Sequence, residues 1–523
     1  RNSYTKINLF LLSLYYKSVT LLLILRIMML EVLRVIDKKI TSATNRSERR
    51  QLQQKKQSKK IYSRFLFFSL LTAIIIGSGL GLLYFLEQQR MNEKMASETQ
   101  EILKKNQQRQ AQSGFETNET ITEKNNLTKV TYIPKETDSL PIDDIEGRMS
   151  TLMNQATKKY KGNQHTILIG RIVSQNYTEK LASYSVMVDT YQWQVDTATF
   201  KNIGTVEDEP TYINQKTEQA VTIQELIVED ANLLGIQQVI QQQILDNAEN
   251  STDIIDAVLN LPRINRETNM TYHPDALHVV LPKNETGVTE ITLSYQQIQP
   301  FIQKELVNPT FLNEEATGLD PNQKYIVLTF DDGPMPHTTT NILDVLQEKD
   351  VKATFFLLGQ NAKKHPDLVK RIHEEGHEVG SHSYSHPLLT NLSKEAVEKE
   401  VKQTDRAIFE ATGVIPRTFR PPYGAVNADV AAIIGKPIIQ WNIDSMDWHS
   451  KQKNETIQMI DQTASEGGIV LMHDIQPSTV DALPRIIDSL REQGYQFVTA
   501  EKLMESNICP LYQYFNRYDF RKI

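Results

Sequence analysis

The chain has 523 residues, 40% hydrophobic and 23% charged, with a formal net charge of -7. That length exceeds one ordinary core and calls for several folded units, and the acidic balance supplies no footprint for nucleic acid as a partner. The one cysteine, Cys509, excludes an internal disulfide framework and a thiolate zinc cluster, so any metal must be held by His, Asp and Glu.

Residues 1–64 form an N-terminal segment of basic character. Its apolar stretch 8–35 is interrupted by Lys17, Arg26, Glu31 and Arg34, and the sequence opens on Arg1 rather than Met, so a natural start is expected near Met28 or Met29. Residues 65–86, "FLFFSLLTAIIIGSGLGLLYFL", are 22 consecutive residues without a charge, enough to cross a hydrocarbon layer of about 30 Å as a helix. A cleaved signal peptide would have a shorter apolar run and a small-residue cleavage site. Seven Lys or Arg lie between Arg49 and Arg64, against Arg90 and Lys94 after the span. The basic side stays in the cytoplasm, so this reads as a single-pass protein of the cell membrane with everything after residue 86 outside.

Residues 87–140 are rich in Gln, Glu, Lys, Asn and Thr without a clean heptad, and read as a solvated stalk. A first α+β module at 141–208 combines a helical stretch at 146–160 with β-like runs at 165–173 and 184–195. A second at 209–322 carries a helical pattern over 222–245 and strands near 276–282 and 289–294. His273 and His278 fall there without a carboxylate close in sequence, which favours a surface or core role. Eight of the eleven histidines follow residue 336, so the chemistry belongs to the last block.

From 325 onward, apolar runs at 325–330, 353–358, 378–382, 417–420, 438–443, 469–473 and 496–499 alternate with amphipathic helical patterns. This predicts a parallel α/β sheet, doubly wound or closed into a barrel. The polar residues sit where strands end: Asp331 and Asp332, His382 and His386, Arg420 to Tyr423, Asp444 to Trp448, and His473 with Asp474. Carboxyl ends of parallel strands share one face, so these groups converge.

Two adjacent carboxylates at a buried strand end repel one another, and one must protonate unless a cation is present. "HSYSH" offers two imidazoles at i and i+4, a spacing that places both on one face of a helical turn. Two His and one Asp with open positions suit one divalent ion, zinc first by ligand type. Successive strand residues point to opposite sides, so one carboxylate serves as ligand and the other as a base beside it. A lone Asp-Asp-Gly-Pro is ordinarily a turn, and a lone HxxxH is ordinarily not a metal site. Their joint arrival at successive strand ends carries the functional reading.

These residues resemble the five motifs of the carbohydrate esterase family 4 polysaccharide deacetylases, the NodB-homology domain. They stand here, in order, as Thr329-Phe330-Asp331-Asp332, His382-Ser383-Tyr384-Ser385-His386, Arg420-Pro421-Pro422-Tyr423-Gly424, Asp444-Ser445-Met446-Asp447-Trp448 and Leu471-Met472-His473. The match covers about 323–505, and the deacetylase domain is taken as 323–507 with a tail at 508–523. With the anchor and the two exported modules, the whole is similar to streptococcal-type peptidoglycan N-acetylglucosamine deacetylases.

The resemblance implies a distorted (β/α) barrel with Asp332, His382 and His386 on the metal and Asp331 as general base. Arg420 would hold Asp331, the backbone N–H of Tyr423 would face the oxyanion, and His473 would be the general acid oriented by Asp447. Trp448 and Leu471 would line the pocket for the acetyl methyl. The implied ion is zinc, with cobalt or manganese as alternatives, and the implied partner is the glycan strand of peptidoglycan. Competing readings are a deacetylase of chitin-like chains, poly-N-acetylglucosamine or acetylxylan, and a non-catalytic glycan-binding protein; a binding module has no use for an acid and a base.

Overall fold

The structure, a computed structural model, describes residues 17, 20, 23–24, 27–28, 30–32, 34–112, 116–135, 144–159, 164–313, 318–504 and 508–523. Residues 1–16 of the N-terminal segment, 136–140 of the stretch read as a stalk and 505–507 at the end of the deacetylase stretch lie outside the described residues. The chain divides into two compact units.

The first unit holds the helix Arg46–Ala111, 66 residues long, opened by Asn45, whose side chain accepts from the Ser47 N–H. Residues 65–86 lie within it, and among the described residues it is the one helix long and apolar enough to cross a membrane. Where composition reads as a solvated stalk, the helix runs on to Ala111 and a hairpin follows. Thr117–Lys124 pairs antiparallel with Leu127–Pro134, which in turn pairs parallel with residues 166–170. The exposed strand of that hairpin, TNETITEK, buries no face, so its sequence carries no apolar alternation. Its partner does: Val130 and Tyr132 pack with Ile167 and Ile169, and Ile102 and Leu103 of the helix close over them.

The second unit contains residues 207–313 and the last block together. Helices Asp230–Asp246 and Ser251–Leu259 cover a three-stranded antiparallel sheet, Glu290–Ser294, Ala276–Val280 and Met270–Tyr272. Phe409 and Ile415, from the last block, are members of the same hydrophobic core. Two glutamines one helical turn apart reach the same surface. Gln238 donates to the Gly435 carbonyl at 2.9 Å and Gln242 to that of Gly413 at 3.0 Å. Both glycines cap helix ends in the left-handed region, φ +66° and +76°, where the last carbonyls lack helical donors.

The last block is built on a parallel sheet in the order Glu378–Ser381, Thr354–Leu357, Lys324–Asp331, Gly468–His473, Ile443–Asp444, with Tyr495–Phe497 paired to the start of the central strand. The central strand is buried from Tyr325 to Asp331, which explains its unbroken apolar run. The stretch 417–420 contributes single bridges at Phe419, to Ser381 on one side and Ile438 on the other, rather than a full strand. Beyond Ile438–Ile439, the tail strands Tyr512–Tyr514 and Phe520–Lys522 continue the pairing.

Candidate active site

Sheet register brings the strand ends together. Asp331 lies opposite His473 and Phe356 on its two neighbouring strands, and Asp444 lies opposite Leu471. The strand stops at Asp331, and Asp332 turns into the left-handed region at φ +77°. That turn, rather than the alternation expected of a continuing strand, separates the two carboxylates.

Asp332 Oδ1 sits 3.6 Å from His382 Nε2 and 3.5 Å from His386 Nε2, and ligand atoms of the three residues fall within 4.8 Å of one another. The Oδ1 atom is buried and accepts no hydrogen bond among the described residues. A buried carboxylate oxygen without a donor is costly unless a cation stands beside it. His382 Nδ1 donates to the Arg420 carbonyl at 2.6 Å, which leaves the Nε2 lone pair free. Burial also pushes His382 down to about 3, so the ring is neutral. Two imidazoles and a carboxylate with an orphaned oxygen fit a divalent ion of intermediate softness.

The expected helical turn beneath HSYSH is absent. Ser383 and His386 take φ +67° and +65°, and the segment is a loop. Glu400 shapes it: its carboxylate accepts from the N–H groups of Tyr384 and Ser385 and from Ser385 Oγ, each at 2.8 Å. Glu400 lies on the helix Lys394–Thr412, and nothing in its local sequence marks it for this task.

Asp331 is buried, and its Oδ1 accepts from Arg420 Nη1 at 2.8 Å. Burial raises the Asp331 carboxyl above its ordinary range, and the Arg420 charge opposes that rise. Arg420 is itself fully buried. It donates to Thr329 Oγ1 and to the carbonyls of Ile439 and Gln440, and its guanidinium lies 4.2 Å from the centre of the Phe356 ring.

His473 donates from Nδ1 to Asp447 Oδ1 at 2.8 Å, while Asp447 Oδ2 accepts from the His473 N–H and from Thr479 Oγ1. Burial drives the imidazole downward, yet the Asp447 hydrogen bond and charge prevail and raise it to about 9. For Asp447, burial pushes upward but the bonds from His473 and Thr479 outweigh it and hold the carboxyl low. The site thus holds a carboxyl bound by a guanidinium on one strand and, at the same register on the next, an imidazole that its Asp447 partner raises.

Tyr423 takes φ +61°, a conformation that non-glycine residues rarely adopt and that recurs at functional sites. Its ring is exposed and meets that of His386 at 4.7 Å. Trp448 is half-exposed, with Nε1 donating to Asp444 Oδ1 at 3.4 Å, and Leu471 is buried two residues before His473 on the same strand.

Residues 318–436 match the family model for polysaccharide deacetylase, and residues 91–315 match that for the peptidoglycan GlcNAc deacetylase N-terminal domain. The peptidoglycan-N-acetylglucosamine deacetylase PgdA of Listeria monocytogenes is 30% identical over 413 residues, 76% of this chain and 87% of that protein. The chain belongs to the polysaccharide deacetylase family. Within it, the peptidoglycan-N-acetylmuramic acid deacetylase PdaC of Bacillus subtilis is 42% identical over 194 residues, 37% of this chain and 41% of that protein. The solved PdaC structure covers 36% of this chain and 93% of its own, at 42% identity and a TM-score of 0.35.

Proposed function

We propose that this deacetylase hydrolyses the N-acetyl group of N-acetylglucosamine residues in peptidoglycan, releasing acetate and leaving a free amine. The observation that carries the reading is the juxtaposition of two held groups at one register: Asp331, bound by Arg420, opposite His473, bound by Asp447.

In the roles we assign, Asp331 is the general base and takes a proton from the attacking water. Arg420 keeps Asp331 ionised and fixes its orientation. His473 carries a proton on Nε2 when charged, and delivers it to the departing amine; Asp447 holds the ring with Nδ1–H toward itself. The Tyr423 N–H faces the developing oxyanion, and its left-handed backbone supports that use. Trp448 and Leu471 line the space for the acetyl methyl. Asp332, His382 and His386 hold a divalent ion, zinc by donor type with cobalt or manganese as alternatives, which supplies Lewis-acid polarisation when bound. The water's hydroxyl joins the acyl carbon, the C–N bond breaks, and the proton from His473 completes the amine.

The same reading takes the sheet, extended through Phe419 to Ile438, as a distorted (β/α) barrel over residues 323–507. It also takes residues 65–86 as a single membrane span with the catalytic face outside, on the charge asymmetry about that stretch. Such a protein meets the wall's glycan strands directly.

Mass spectrometry of muropeptides, before and after incubation with the protein and zinc, cobalt or manganese, tests the reading. The expected product lacks one acetyl group on the glucosamine-type sugar. Loss from the muramic residue would select the second reading, which the 42% identity to an N-acetylmuramic acid deacetylase favours. No acetate from peptidoglycan, chitooligosaccharide or acetylxylan with any of the three metals would overturn both.

A further inference from the structure

A third carboxylate, which the mechanism above does not use, lies behind the catalytic pair. Asp474 is fully buried, and its Oδ2 accepts from Thr339 Oγ1 at 2.5 Å while Oδ1 accepts no hydrogen bond among the described residues. Thr339 Oγ1 in turn accepts from the Met335 N–H at 2.8 Å, and the Thr339 N–H donates to the Met335 carbonyl at 2.9 Å. The Asp474 N–H donates to the Asp331 carbonyl. The carboxyl also presses on Gly333: a Cβ built there would fall 1.9 Å from Asp474 Oδ2.

From the other side, Leu358 N–H donates to the Gly333 carbonyl at 3.0 Å and Asn361 Nδ2 to the Asp332 carbonyl at 2.8 Å. The turn that throws Asp332 into the left-handed region is therefore gripped on both sides. Its hold on Asp332 is what aims the metal-binding oxygen at His382 and His386.

We infer that Asp474 is a positioning residue: through Thr339 and by direct contact with Gly333, it sets the turn 331–335 and with it the metal affinity of Asp332. The inference rests on the assignment of Asp332, His382 and His386 as ligands. Partners behind a metal ligand ordinarily change affinity about ten- to a hundredfold when removed.

The test is a zinc dissociation constant, by competition with a chromophoric chelator, on the full chain and its variants. Asp474→Ala and Thr339→Val are expected to weaken zinc at least tenfold, and excess metal is expected to restore turnover. Asp474→Asn, which keeps the shape and an acceptor for Thr339, should stay within about threefold of the parent. Gly333→Ala should also lose zinc, and adding Asp474→Ala, which makes room for the new methyl, should recover part of the loss. Unchanged zinc affinity in both Asp474→Ala and Thr339→Val overturns the inference, as does a Gly333→Ala variant that Asp474→Ala fails to relieve. If Gly333→Ala does not fold, the first two variants still decide. A parent chain that binds no zinc refutes the ligand assignment instead, so the two failures are distinguishable.

Discussion

Replacing Arg420 by Met tests whether Asp331 is kept as a charged base by one buried partner. The substitution keeps an apolar stem against Phe356 and Trp441 but removes every donor. Breaking a buried ion pair from one side costs about 3–5 kcal/mol, because the remaining charge stays buried without compensation. The Ile439 and Gln440 carbonyls lose donors at 2.9 Å, adding about 1 kcal/mol each. Against a total stability of about 5–15 kcal/mol, Arg420→Met should bring the unit close to unfolding, as read from the urea midpoint. Adding Asp331→Asn removes the stranded charge and should return part of the loss, roughly 2 kcal/mol, without returning activity. A second readout is kinetic. Burial alone raises the Asp331 carboxyl and Arg420 is the largest opposing charge. Without Arg420, Asp331 protonates at higher pH, so the acid limb of kcat/KM must move upward. A loss below about 1 kcal/mol, or an acid limb that stays in place, would refute this account of the pair.

Three further outcomes follow from the same geometry. In Asp447→Asn the group that raises His473 toward 9 is neutral while burial still drives it down, so the imidazolium is lost at lower pH and the alkaline limb of the rate profile should move to lower pH. Tyr423→Gly should keep most of the turnover, since glycine takes φ +61° readily and retains the N–H, whereas Tyr423→Pro, lacking both, should abolish it in an acetate-release assay. Phe409→Ala should cost about 3–5 kcal/mol and lower the Tm, and residues 207–313 should melt with the last block because Phe409 lies in their shared core.

The candidate site is legible in the sequence to the extent that it is local. Asp331, Asp332, His382, His386, Arg420, Asp447 and His473 declare themselves because each is a polar group where an apolar run stops, and parallel strands gather such ends on one face. What fixes their geometry is distant in sequence and chemically ordinary. The HxxxH spacing suggests a helix until Glu400, fourteen residues beyond His386, is seen to satisfy the donors of a loop instead. Gly333 looks like turn punctuation until the carboxyl of Asp474, on another strand end, is found where its side chain would be. The core of residues 207–313 is likewise incomplete without Phe409, on the helix Lys394–Thr412, and Ile415, just beyond its end, and nothing in the apolar pattern there says that they pack against an earlier module. Periodicity records which side of an element is buried, but not against what. Candidate chemical residues are thus readable one motif at a time, while the residues proposed to aim them require the fold, and the variants of Asp474 and Gly333 test the second kind directly.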